Sequence, residues 1–307
     1  MSHKPNKLRR SLILPLLVLL LCVVAVALTG ERLSPNGKNR ELPSGQGVRL
    51  TAAASEPLPA SISGAVNAAT NDGAALAQAA RQNAVRQNDL AWTFGKKQQR
   101  GWYIYVPLIS RLIETEADTN SVEFATALAR WQRTNGLAPS GILNGDTLYR
   151  MMETWQARRL KDRTPARPDQ LVTVPTSEFY DSSRPDNLRQ IERATYAAYK
   201  RMLAAAAADR VIEGHHLKII SAHRSREYQD NLRRKEPQAG SAGLAINSPH
   251  FTGRAIDLYV GGEPVETKDA NRALQIRTRA YRWLVRHAER FGFRPYPYEP
   301  WHWEYVG

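Results

Sequence analysis

The chain has 307 residues, too long for one small core and comfortable as two modest domains. Lysine and arginine outnumber acidic residues 43 to 29, so the surface attracts anions, whether nucleic acid, anionic lipid or an acidic wall polymer. A single cysteine, Cys22, excludes a disulfide framework within the chain.

Lys4, Lys7, Arg9 and Arg10 precede an apolar run from Leu12 to Leu28 that only Pro15 interrupts and that carries no charge, the pattern of an export signal. The run is close to the shortest that spans a bilayer, and Ala25-Val26-Ala27 offers a small-x-small cleavage pattern. Residues 1–30 therefore read as a signal peptide or, uncleaved, as a membrane anchor. Basic residues on the entry side keep the N-terminus cytoplasmic and export the remainder, to the periplasm or a wall-facing surface, which argues against nucleic acid as a partner. Cys22 follows Leu-Leu-Leu rather than the small residues that precede a lipidated cysteine, so it reads as an ordinary apolar residue, with a lipoprotein as the alternative.

Residues 31–90 are rich in Ala, Ser, Asn, Gln, Gly and Pro and poor in large apolar side chains, the composition of a disordered linker; Ala65 to Val85 has the makings of a transient helix. Order is expected from Trp92. A helix over roughly Val106 to Glu116 comes first. Phe124, Ala127, Leu128 and Trp131 then recur at helical spacing, Asn135-Gly136 ends that helix, and Asp146 is placed to cap a third helix carrying Leu148, Met151 and Met152. Residues 91–160 thus form a three-helix unit, and the charged, proline-bearing residues 161–185 read as a second linker.

In the last part, 186–307, Leu188 to Ala208 has helical periodicity, "LKIISAHRS" and "AIDLYV" read as strands, Arg279 to Phe291 as a helix and "WHWEYV" as a final strand. Helices and strands without regular alternation make the fold class α+β.

The segment "ALARWQRTNGLAPSGILNGDTL" resembles the peptidoglycan-binding domain of wall hydrolases, through its A-x-x-x-[FW]-Q-x-x-x-G-L…G-x-[LV]…T-L pattern. That resemblance implies that residues 91–160 bind the glycan of the wall. Trp131, Leu137 and Leu148 would pack a helical bundle in either case.

A hydrolytic zinc site needs three protein ligands and an open position, with bonds of about 2.0 to 2.2 Å. His3, His215, His216 and His287 sit in charged or turn surroundings without a partner pattern, whereas His250 and His302 each border a candidate strand. Asp257 lies within the apolar run Ala255, Ile256, Leu258, Tyr259, where a carboxylate is costly to bury without a cation or hydrogen-bond partner.

"SPHFTGRAIDLYV" followed by "EPWHWEYV", with "SAHRSREYQ" upstream, resembles the VanY-type D-alanyl-D-alanine carboxypeptidases, in the zinc peptidase superfamily that includes lysostaphin-type enzymes and the hedgehog domain. The family pattern is S-x-H-x-x-G-x-A-x-D, then E-x-x-H, preceded by S-G-[YF]-R-S, where this chain has Ser221-Ala222-His223-Arg224-Ser225. The resemblance implies a small antiparallel-sheet domain with flanking helices at 186–307. It makes His250, Asp257 and His302 the ligands of Zn2+, Glu299 the general base and Arg224 the stabiliser of charge on the substrate carbonyl, with Ser248 and Gln229 binding substrate. Ser248 reads equally as a turn cap, and Gly253 as a simple turn glycine or as a close backbone approach. Along a regular strand Glu304, not Glu299, would share a face with His302, so Glu304 stands as a rival base unless Pro300 bends the chain.

The function implied is a zinc-dependent peptidase trimming the stem peptide of peptidoglycan, most simply by removing terminal D-alanine. The alternatives are an endopeptidase cutting L-alanyl-D-glutamate or a cross-bridge, and a zinc-containing wall-binding protein without catalysis. Oligomeric state is not legible.

Overall fold

The computed structural model describes residues 60–237 and 244–307; the expected leader at 1–30 and the first part of the 31–90 linker lie outside the described residues. Helix α1 spans Ala60–Asp89, which corrects the expectation of a disordered linker up to residue 90. Composition misled because this helix docks through small side chains: Ala79 and Ala80 are buried against Ala125, with Leu76 and Ile142 beside them. Alanine is also the best intrinsic helix former. Asn83 completes the docking, its amide donating to the Gly141 carbonyl and accepting from the Leu143 N–H, both at 2.8 Å. Among the described residues no helix is long and apolar enough to cross a membrane.

A hairpin follows, β1 (Ala91–Phe94) against β2 (Lys97–Arg100), turning at Gly95-Lys96 with both residues at positive φ. Helix α2 (Val106–Leu112) stops one turn earlier than its apolar pattern suggests. Helix α3 (Val122–Thr134) starts at Ser121, whose side chain accepts from the Phe124 N–H. The cap of α4 (Gly145–Ala157) is Asn144, accepting from the Thr147 N–H, rather than Asp146; Asp146 sits inside the first turn, where its charge favours the helix N-terminus. Gln132 of α3 ties the unit together, donating to the Ile142 carbonyl and to Thr147 Oγ1 and accepting from the Gly141 N–H, each at 2.9 Å.

The expected linker at 161–185 is structured. Strand β3 (Leu171–Thr173) pairs with β4 (Gln190–Glu192), and Val174 and Phe179 are fully buried. Helix α5 (Arg193–Ala208) therefore begins later than Leu188, capped by the Glu192 carboxylate accepting from the Ala194 and Thr195 N–H groups. Then come β5 (Ile219–Ser221), α6 (Arg226–Lys235), β6 (Ala255–Leu258), α7 (Asp269–Gln275), α8 (Arg279–His287), β7 (Phe293–Pro295) and β8 (His302–Tyr305). Strands β5, β6, β8 and β7 form one antiparallel sheet in that order.

The fold is α+β, as the sequence implies. A continuous cluster of buried apolar residues runs from Trp92 and Trp102 in the N-terminal part to Trp301 and Trp303 in the sheet. The helical unit and the sheet therefore share one core, and residues between them carry contacts of their own.

Candidate metal centre

Strand register sets the spacing of the centre. Asp257 on β6 lies opposite His302 on β8 and opposite Ser221 on β5, and residues directly opposite in antiparallel strands project from the same face. The pleat thus delivers an aspartate and a histidine side by side from segments 45 residues apart.

His250 comes from the short 3-10 turn Pro249–Thr252 that leads into β6. Ser248 caps this turn, its Oγ accepting from the His250 N–H at 3.3 Å. Gly253 closes the turn at φ +67°, and a Cβ there would lie 2.8 Å from the Glu192 nitrogen, so both the backbone conformation and the close approach require glycine.

Three donor atoms converge. His250 Nε2 and His302 Nδ1 are 3.2 Å apart, His302 Nδ1 and Asp257 Oδ1 2.9 Å, and His250 Nε2 and Asp257 Oδ1 3.3 Å. Lone pairs packed this closely repel unless a proton or a cation lies between them. Bonds of about 2.0–2.1 Å to a tetrahedral zinc would hold its donors about 3.3 Å apart. Two imidazoles and a carboxylate suit that ion, and the three side chains, all buried, can hold it. Each ring's second nitrogen is committed: His250 Nδ1–H donates to the Ala222 carbonyl (2.6 Å) and His302 Nε2–H to Glu304 Oε1 (3.2 Å), which fixes the tautomers a metal requires. His223 is not part of this group.

Burial, reinforced by the Arg224 charge, lowers His250 to about 4, so its ring is neutral, as a ligand must be. For His302 burial acts downward, but hydrogen bonds to Asp257 and Glu304 outweigh it and raise the ring to about 9 in the metal-free protein. Burial opposes ionisation of Asp257 as well, yet the Arg224 charge and the His302 hydrogen bond hold its carboxyl well below the usual range.

Arg224 reaches the centre through Asp257. Its Nη2 donates to Asp257 Oδ2, its Nε to Ser221 Oγ (2.9 Å) and its Nη1 to Gln229 Oε1 (3.3 Å), while its own N–H donates to the His250 carbonyl. Gln229 is therefore placed differently from the expectation of a substrate contact. It is 1% exposed, and its amide is engaged by Arg224 and, at 3.1 Å, by the Ala245 carbonyl, so it orients Arg224 from behind.

The turn before β8 decides between the two glutamates. Glu299 N–H donates to the Tyr296 carbonyl and His302 N–H to the Glu299 carbonyl, so the chain winds through Pro300 and the strand begins only at His302. Glu299 Oε2 ends 3.9 Å from His302 Nδ1, facing the metal-binding side of the ring. Burial raises its carboxyl to about 8, with the Asp257 charge adding to the effect and the His302 charge opposing it. Glu304 lies on the opposite side of the imidazole, fully buried, where Arg159 and Arg163 donate to Oε1 and the Leu160 N–H to Oε2. Despite that burial, the His302 hydrogen bond and the Arg159 charge keep it below the ordinary carboxylate range. Glu299 alone of the two lines the cleft of about 890 Å³ that opens over His250, Asp257 and His302, together with Arg224, Ser248 and Arg159.

Sequence reading missed Arg159 and the Ala222 carbonyl. Arg159 is one of several cations in "ARRLKDR", with no local pattern to single it out.

Residues 188–307 match the family model described as VanY, D-alanyl-D-alanine carboxypeptidase. Among solved structures, the LdcB LD-carboxypeptidase is 28% identical, with 48% of this chain and 72% of that one covered and a TM-score of 0.35. A mutant of the vancomycin-resistance D,D-pentapeptidase VanY in complex with Zn(II) is 22% identical, with 50% of this chain and 89% of that one covered and a TM-score of 0.32. No curated protein sequence matches the chain.

Proposed function

We propose that this chain, whose residues 188–307 are a domain of the VanY family, is a zinc-dependent peptidase that hydrolyses the stem peptide of peptidoglycan and removes its terminal D-alanine. The observation that carries this reading is the convergence of His250 Nε2, His302 Nδ1 and Asp257 Oδ1 within 3.3 Å of one another, beside the buried carboxyl of Glu299.

Zinc held by these side chains supplies Lewis acidity at the wall of the cleft. Glu299 takes the proton from the attacking water and hands it to the departing amine as the peptide bond breaks. Burial makes its carboxylate a stronger proton acceptor than a solvated one, and the charge of a zinc ion beside it would favour the ionised form from which it starts. Arg224 holds Asp257 with one arm and offers its remaining N–H groups to the charge that develops on the substrate carbonyl oxygen. Ser248 Oγ accepts from His250 N–H, which leaves its own O–H to donate to the terminal carboxylate of the substrate.

The helical unit bearing Trp131-Gln132 would keep the enzyme on the glycan, raising the effective concentration of stem peptide without altering the centre. The basic, apolar leader would place both parts outside the cytoplasmic membrane, anchored or released.

Digestion of purified sacculi with the zinc-loaded protein and with His302→Ala, followed by mass analysis of the products, tests the reading. Free D-alanine released only by the zinc-loaded parent is expected. Dipeptide-linked fragments would replace the carboxypeptidase with an endopeptidase, and unchanged hydrolysis by His302→Ala would overturn the metal-dependent mechanism.

A further inference from the structure

We infer that Arg159, which lies outside the segment matched to the VanY family, is a positioning residue for the metal centre, holding in place the two side chains that flank His302. The inference rests on the reading of His302 as a metal ligand.

Glu304 and Tyr296 are those flanking groups. Glu304 Oε1 accepts from His302 Nε2–H at 3.2 Å, and the Tyr296 ring meets the His302 ring edge-on with centroids 5.8 Å apart. Arg159 touches both. Its Nε donates to Glu304 Oε1 at 3.1 Å and its Nη2 donates to the same oxygen, while its guanidinium lies over the Tyr296 ring, 4.0 Å from the centroid. The remaining arm is anchored, Nη1 donating to Gln156 Oε1 at 3.0 Å near the end of α4. The guanidinium is thus held between a helix of the N-terminal unit and both neighbours of a metal ligand.

A fully buried carboxylate needs such a partner to be held in place. Arg163 is a weaker partner, reaching Glu304 Oε1 at 3.4 Å with its side chain more exposed than that of Arg159. The Leu160 N–H, at 2.9 Å from Oε2, fixes the second oxygen but brings no net charge. Without Arg159, Glu304 is free to turn toward Arg163. His302 Nε2–H then loses a fixed acceptor, and its Nδ1 becomes a less well aimed donor to a metal. The N-terminal unit then contributes to the metal centre through this side chain.

The test measures zinc affinity of the full chain by competition with a chromophoric chelator, alongside thermal unfolding of the metal-free protein. Arg159→Met keeps an apolar stem over Tyr296 while removing the fork. Outer-shell partners typically influence metal affinity by about 10- to 100-fold, so at least a tenfold weakening is expected, with at most a twofold further loss when Arg159→Met is added to Glu304→Gln. Affinity of Arg159→Met within twofold of the parent, or an undiminished loss in the Glu304→Gln background, would overturn the inference. If Arg159→Met does not fold, Arg159→Lys serves instead: a single ammonium cannot reproduce the two-pronged contact, and an unchanged zinc affinity in that variant is equally contrary. A parent protein that takes up no stoichiometric zinc would instead refute the metal reading beneath it.

Discussion

Substituting Gly253 with alanine perturbs the centre without touching a ligand. The left-handed backbone at φ +67° costs a non-glycine residue about 1–2 kcal/mol. The added Cβ would sit 2.8 Å from the Glu192 nitrogen and 3.0 Å from Leu171 Cδ2. The leucine can move, but the nitrogen is held in its own hydrogen bond to the Gly253 carbonyl at 3.1 Å. Forcing such an overlap in a packed interior costs about 1–3 kcal/mol, for a total near 3 kcal/mol. At roughly 2–4 °C per kcal/mol for a domain of this size, the midpoint of thermal unfolding should fall by about 6–12 °C. Because relief of the overlap moves the turn carrying His250 relative to the strand carrying Asp257, the fall should be larger with zinc than with a chelator. Calorimetry of Gly253→Ala in both conditions checks this. A loss below about 2 °C in both would refute the steric reasoning, and equal losses in both would refute the coupling to the metal.

Glu299→Gln should lower the turnover number by about 10²- to 10⁴-fold while leaving bound zinc at the parent level; parallel measurements of stem-peptide hydrolysis and zinc content decide it, and retained turnover would remove Glu299 from the chemistry. Asn83→Ala leaves the Gly141 carbonyl and Leu143 N–H without their buried partner, which should cost about 2–4 kcal/mol in urea unfolding. A change below about 0.5 kcal/mol, the scale of an inconsequential surface substitution, would show that α1 does not belong to the folded unit.

Arg224 shows where an expected role and an observed placement meet. The resemblance assigns it to the substrate carbonyl, whereas the structure engages it first with Asp257, Ser221 and Gln229. The two are compatible, because a guanidinium has five N–H groups, of which these contacts use three.

By itself the amino-acid sequence, through its family resemblance, pointed to His250, Asp257 and His302 as a group and to the fold class. His250 and Asp257 are separated by one tight turn and Glu299 and His302 by another, so the chemistry is written within short windows, and the apolar periodicities of α3, α4 and α8 are local as well. Tertiary structure alone decided which glutamate faces the cleft, that Gln229 backs Arg224, that α1 and β3 are ordered parts of the fold, and that Arg159 reaches Glu304 from 145 residues away. Contacts of that kind depend on strand register and on which surfaces pack together. They leave no periodic trace in the chain, because one arginine in a charged run looks like its neighbours until a buried carboxylate is placed opposite it.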